Sequence, residues 1–124
     1  MSIDEVLKIH KILTIEFGGL QGVRDMSLLE SAVFRPLATF GGIDLYPEPV
    51  DKAAALFESI IINHPFFDGN KRVGYVLLRL TLLDANKDIN ATLEERYKFV
   101  VYVAEGKHTK DSIVNWILNH LIEL

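Results

Sequence analysis

The chain has 124 residues, 49% of them hydrophobic and 24% charged, with 13 basic against 17 acidic side chains and no cysteine. That length suits one domain with one substantial core, and the composition is that of a folded, water-soluble chain. A net charge of −4 argues against a nucleic-acid binder, whose footprint is a basic face, and the lack of thiols leaves no disulfide framework or thiolate metal site and fits a reducing cytoplasm.

The first residues, Met1-Ser2-Ile3-Asp4-Glu5, lack the basic region and apolar run of a secretory signal. The longest apolar stretch, Val73 to Leu83, is interrupted by Arg79 and is too short for a bilayer span. The expectation is a single cytoplasmic domain over residues 1–124 with no membrane role.

Ser2 and Glu5 form a capping box ahead of Ile3, Val6, Leu7, Leu13 and Phe17, which predicts a first helix from Ile3 to Phe17 closed by Gly18-Gly19. Ser27 and Glu30 repeat the signature before a second helix, Leu28 to Ala38, bent or closed near Pro36. Between Phe40 and Pro49 lies FGGIDLYPEP, a plain loop or a short hairpin and the only good candidate for β structure. Val50 to Asn63 has Ala53, Ala54, Phe57, Ile60 and Ile61 on one face, and that helix must stop at His64 because Pro65 disfavours the α conformation before it. Lys71 to Ala85 is apolar nearly all round, as the buried centre of a bundle is. Thr92 and Glu95 cap another helix to Glu105, and a last helix runs from Lys110 to the C-terminus.

The informative segment is the loop joining the two central helices, His64-Pro65-Phe66-Phe67-Asp68-Gly69-Asn70-Lys71-Arg72. A helix start favours acids over cations, yet Lys71 and Arg72 fall in the first turn. The choice makes sense if a phosphate sits there, where free backbone N–H groups and a guanidinium fork converge on it. Gly69 lets the backbone come close, and Asn70 is a good N-cap residue for the turn. Asp68 supplies a hard oxygen of the kind that holds Mg²⁺ beside a phosphate. His64 is the one loop group that takes a proton near neutral pH. Phe66 turns inward as the loop's anchor. His10, His108 and His120 are read as ordinary helix or core histidines, and Arg79 as a paired charge at the edge of a buried helix. No phosphate-loop, zinc-protease or nucleophile-elbow motif is present.

These nine residues resemble the Fic/Doc signature H-x-F-x-[DN]-[AG]-N-K-R. The segments GGLQGVRD, LLESAVFRP and FGGIDLYP and the helix before His64 look like the same family, so the resemblance covers about the first three quarters of the chain. It implies an all-α fold, a compact helical bundle around a buried central helix with a short β-hairpin flap at FGGIDLYP that aligns the target. It further implies transfer of part of a nucleoside triphosphate, ATP or another, to a protein hydroxyl, with His64 as general base and Asp68 as Mg²⁺ ligand. Gly69, Asn70, Lys71 and Arg72 would bind the nucleotide. Many AMP-transferring Fic proteins have Gly where this chain has Lys71 and a second Arg where it has Tyr75. Both differences point to the Doc (death-on-curing) branch, whose best-understood activity is phosphorylation of elongation factor Tu, although that branch often has Asn where Val76 stands.

The leading expectation is therefore a toxin-like protein kinase of the Doc type. AMP transfer and a catalytically silent module that binds a partner are the alternatives. Self-restraining Fic proteins carry [ST]-x-x-x-E-[GN], whereas the only Glu followed by Gly or Asn here is Glu105, with Val101 at the hydroxyl position. The expected partners are thus a target such as a translation factor and an antitoxin acting in trans through a segment that folds on binding.

Overall fold

The computed structural model describes residues 1–109 and 111–124, so the expected helix start at Lys110 lies outside the described residues. Ser2 opens α1 (Ile3–Phe17) by accepting the N–H of Glu5, and Gly18 closes it at φ 86°. Helix α2 (Met26–Phe34) begins two residues earlier than the sequence signature suggests. Its cap is Asp25, whose carboxylate accepts the N–H of Leu28, while the Ser27 hydroxyl donates to Asp25. A carboxylate outcompetes a hydroxyl at the positive helix end because it adds charge to the hydrogen bond. Pro36 cannot continue the α ladder, and the chain leaves α2 through a 3₁₀ turn, Arg35–Leu37.

The FGG stretch does form a hairpin. β1 (Thr39–Phe40) and β2 (Ile43–Asp44) pair antiparallel with Phe40 opposite Ile43. Gly41 and Gly42 turn the chain at φ 58° and 80°, the positive-φ pattern that matches strand twist in two-residue hairpins. The hairpin stands in solvent, with Phe40 80% and Ile43 74% exposed.

Helix α3 (Pro49–Asn63) is opened by a reciprocal Glu48–Asp51 cap and runs beside α4 (Asn70–Leu83) as the buried central pair. Small residues set their separation. A Cβ on Gly74 would meet Ile61 Cδ1 at 3.0 Å, so glycine lets α4 approach α3 this closely without displacing that side chain. One side of the pair packs Leu56, Ile60, Val73 and Leu77 against Val6, Leu29 and Ala32. The other packs Phe57, Ile61, Leu78 and Leu82 against Phe99, Val103, Ile113 and Ile117. Each of the larger of these side chains contributes about 1.5–3 kcal/mol of burial, which fixes both ends of the loop that joins α3 to α4.

Thr92 and Glu95 cap α5 (Leu93–Ala104) reciprocally, as their spacing predicts. The last helix, α6 (Ser112–His120), stops short of the C-terminus. Leu121–Glu123 forms β4 instead and pairs antiparallel with β3 (Lys87–Ile89), Asp88 facing Ile122. Three-residue strands so far apart in sequence leave no local periodicity to read, so the hairpin is not the only β structure. Arg79 is the paired charge expected: its Nε and Nη2 donate to the two Asp88 oxygens at 2.9 and 2.8 Å, tying α4 to β3. No helix among the described residues is long and apolar enough to cross a membrane.

Candidate active site

Pro65 ends α3, and His64 takes the left-handed conformation at φ 48° and ψ 57°, a region histidine enters more readily than most residues. The carbonyls freed at this helix end are satisfied from outside. Arg24 Nε donates to the His64 carbonyl at 2.6 Å and its Nη2 to that of Asn63 at 2.7 Å. The backbone N–H groups of Arg24 and Asp25 both donate to the Pro65 carbonyl, and that of Phe67 donates to Gly22. Val23 and Phe66 complete this brace as an antiparallel bridge.

Phe66 is buried, as its place in the loop predicts, and the ring it rests on is His10. From α1, His10 also donates through Nε2 to the Asp68 carbonyl at 2.8 Å, which fixes the proton of the neutral ring on that nitrogen. Sequence reasoning assigned His10 and Arg24 no part in the site. The one available signal for His10 was its position between Val6 and Thr14, four residues from each, on the buried face of α1.

Asn70 is not the N-cap. Gly69 holds that position at φ 78°, where glycine alone is unstrained, and Asn70 is the first helical residue. Its buried carboxamide clamps the loop instead: Oδ1 accepts the Phe66 N–H and Nδ2 donates to the Phe66 carbonyl, both at 3.0 Å. Nδ2 also approaches His64 Nδ1 at 3.3 Å. That contact leaves the neutral imidazole's own proton on Nε2 and its lone pair on Nδ1. What Asn70 has left for a ligand is its backbone N–H.

Asp68 is exposed, its Oδ1 accepting the N–H of Gly69 at 2.9 Å and its Oδ2 that of Leu20 at 3.2 Å. Among the described residues no three His, Asp or Glu side chains gather as a metal cage. A carboxylate with lone pairs to spare beside a cationic helix start could serve Mg²⁺, which takes one or two carboxylates and completes its shell with phosphate oxygens and water.

Lys71 and Arg72 project from the first turn of α4 without any hydrogen bond or ion pair to the described residues; the Arg72 guanidinium lies over the Phe17 ring at 4.3 Å. The helix start supplies further donors, because the N–H groups of Asn70, Lys71 and Arg72 have no intrahelical acceptor. His64, Asp68, Gly69, Asn70, Lys71 and Arg72 all line one cleft of about 310 Å³. The structure thus brings every residue singled out from the sequence to one place.

A sequence profile of the family described as Fic/DOC matches residues 1–82. The chain belongs to that family. Toxin Doc of Mycolicibacterium smegmatis is 50% identical over 74 residues, a stretch covering 57% of this chain and 57% of that protein. The match therefore extends over little more than half of the relative's own length. Within this chain the family region runs from α1 into α4 and contains the whole loop with its braces, whereas α5, α6 and the β3–β4 sheet lie beyond it.

Proposed function

We propose that residues 1–124 form a single toxin-like Fic/Doc domain that moves the γ-phosphate of ATP or another nucleoside triphosphate to a Ser or Thr hydroxyl of a target protein, elongation factor Tu being the candidate. The observation that carries this reading is the pair of unneutralised cations, Lys71 and Arg72, at the donor-rich start of α4 in the same cleft as His64. A polyphosphate is the ligand that such a start attracts.

In the proposed reaction the target hydroxyl oxygen bonds to the γ-phosphorus while the bond from that phosphorus to the β-bridging oxygen breaks. The hydroxyl proton goes to the His64 imidazole, and the nucleoside diphosphate leaves. Arg72 and the loop amides hold the phosphates that stay behind, and Asp68 would hold Mg²⁺ against them. When bound, Mg²⁺ neutralises charge on the phosphate oxygens. Lys71 supports γ-phosphate transfer, since a long cationic side chain where AMP-transferring relatives have glycine adds a donor and removes space at the helix start. The exposed β1–β2 hairpin is the proposed aligner of the target, through pairing with an extended segment. The likeness to Toxin Doc supports growth arrest in the cytoplasm, held in check by an antitoxin acting in trans.

The test is incubation with a bacterial lysate and with purified elongation factor Tu, using ATP labelled at the α or the γ position, followed by intact-mass measurement. Transfer of γ-label with a phosphate mass increment is the expected result. Transfer of α-label would make the chain an AMP transferase and sink the kinase assignment. Nucleotide binding with no labelled product would leave a silent partner-binding module. Expression of the chain alone should slow bacterial growth.

A further inference from the structure

The β1–β2 hairpin stands clear of the protein body along its length. From Thr39 to Leu45 every residue is exposed, and only the two that flank this stretch, Ala38 and Tyr46, are partly buried. A two-stranded ribbon is marginal in water by itself, so its direction is set where its ends meet the rest of the chain. The ends close on each other through the Leu45 N–H, which donates to the Ala38 carbonyl at 3.0 Å.

Helix α3 grips both ends. Ahead of the hairpin, Lys52 donates to the Pro36 carbonyl at 3.1 Å. Behind it, the Tyr46 hydroxyl accepts from Arg35 Nε at 3.0 Å, and the guanidinium carbon lies 5.4 Å from the Tyr46 ring centroid. Arg35 is itself fixed on α3, its Nη1 donating to Glu58 Oε1 at 2.6 Å and to Ser59 Oγ at 3.0 Å. The other Glu58 oxygen faces His108 Nε2 at 2.8 Å, so the carboxylate is held from two sides, one of them outside the segment that matches the family. The helix that carries this seat is the one that ends at His64. At 1.5 Å per residue, Glu58 lies about 9 Å along the axis from that histidine, with rigid helix between them.

We propose that Tyr46 is a positioning residue: through Arg35 and Glu58 it fixes the hairpin on α3 and so sets where a target segment lies relative to His64. This rests on the reading of the hairpin as the aligner of the target. A phenol suits the task because it joins a flat face for the guanidinium to an oxygen acceptor at its tip. Phenylalanine keeps only the face.

The chain has no cysteine, so Ile43→Cys and Ile62→Cys, both at exposed positions, give unique sites for two spin labels, one on the hairpin and one on α3. The distance distribution between them is measured with Tyr46 intact and in Tyr46→Phe and Tyr46→Leu. Label transfer from ATP to elongation factor Tu is measured in parallel with the same Tyr46 variants free of cysteine. The expected result is a distribution that broadens in Tyr46→Phe and further in Tyr46→Leu. The KM for the target should rise about five-fold in Tyr46→Phe, the net worth of one hydrogen bond, at unchanged kcat and ADP affinity. An unchanged distribution in both variants would overturn the proposal. A broadened distribution with an unchanged KM, or parallel losses of kcat and ADP affinity, would reduce Tyr46 to a structural contact. Phe40→Ala, on the hairpin itself, separates the two readings: an unchanged KM there would show that the hairpin is not the aligner, and the proposal falls with that reading. A raised KM in Phe40→Ala but not in Tyr46→Phe would overturn the role of Tyr46 alone. Absence of transfer by the unaltered chain would sink the proposed function, and the distances alone would then decide whether Tyr46 holds the hairpin.

Discussion

His10 and Phe66 lie face to face, ring centroids 3.8 Å apart and planes 5° from parallel, and the same histidine donates to the Asp68 carbonyl. A residue of the first helix therefore sets the height of the loop that carries Asp68 and Asn70. His10→Ala removes the stack and leaves the part-buried Asp68 carbonyl short of a donor, which should destabilise the chain by about 2–4 kcal/mol. His10→Phe separates the two roles, because it keeps the stack and loses only the hydrogen bond. Its stability loss should be about 1 kcal/mol, while the Mg²⁺ concentration for half-maximal activity rises through the shifted Asp68. Urea denaturation and a Mg²⁺ titration of activity check these, and an unchanged Mg²⁺ requirement in His10→Phe would reduce His10 to a packing residue.

His64 combines a chemical and a conformational role. His64→Ala should lower turnover by about 10²–10⁴, the usual worth of a positioned base, and leave ADP affinity within about two-fold, since the base acts on the incoming hydroxyl. Alanine at φ 48° adds strain of about 1–2 kcal/mol. His64→Asn is the control, as asparagine tolerates this backbone without supplying a base. Near-normal turnover in either variant would remove His64 from the mechanism.

Gly19 touches the site from the other side. It sits at φ 117°, and a Cβ there would come within 2.9 Å of Asp68 Oδ2. Gly19→Ala should therefore push the carboxylate out of place and weaken Mg²⁺-dependent ADP binding several-fold, with binding in the absence of Mg²⁺ unaffected. Calorimetry with and without the metal distinguishes this from general damage, which would reduce both alike.

The site was legible from the sequence because nine consecutive residues carry it, and Pro65 and Gly69 punctuate the backbone so that a helix end and a helix start face each other. Helices α1, α3, α4 and α5 were legible for a related reason: apolar spacing and reciprocal caps are local signals. What stayed hidden was held by contacts between distant segments. Arg24 satisfies carbonyls 39 and 40 residues away, and β3 meets β4 across 36 residues at Lys87 and Glu123. The misreading of Asn70 has the same origin. A good capping residue next to Gly69 was indistinguishable, by type alone, from one whose carboxamide is drawn inward by the Phe66 backbone.

The pair that ties α4 to β3 predicts how stability depends on pH. The hydrogen bonds from Arg79 to Asp88 hold the aspartate below its ordinary pKa, against a smaller upward push from burial. A carboxyl whose folded value is lowered stabilises the fold above its unfolded value, about 3.9, and that contribution fades as the pH falls through the lower folded value. Asp88→Asn should thus cost about 1 kcal/mol at pH 7, a figure reduced by the partial exposure of the guanidinium, and almost nothing near pH 2. Glu58 responds in the same direction. Burial pushes it up, but the hydrogen bond and charge of Arg35 together with His108 bring it below its ordinary value, so some acid sensitivity should persist in the variant. Urea denaturation of both proteins from pH 7 to pH 2 decides the matter: the two stability curves should converge on the acid side, and curves that stay parallel would mean that Asp88 acts through shape rather than charge.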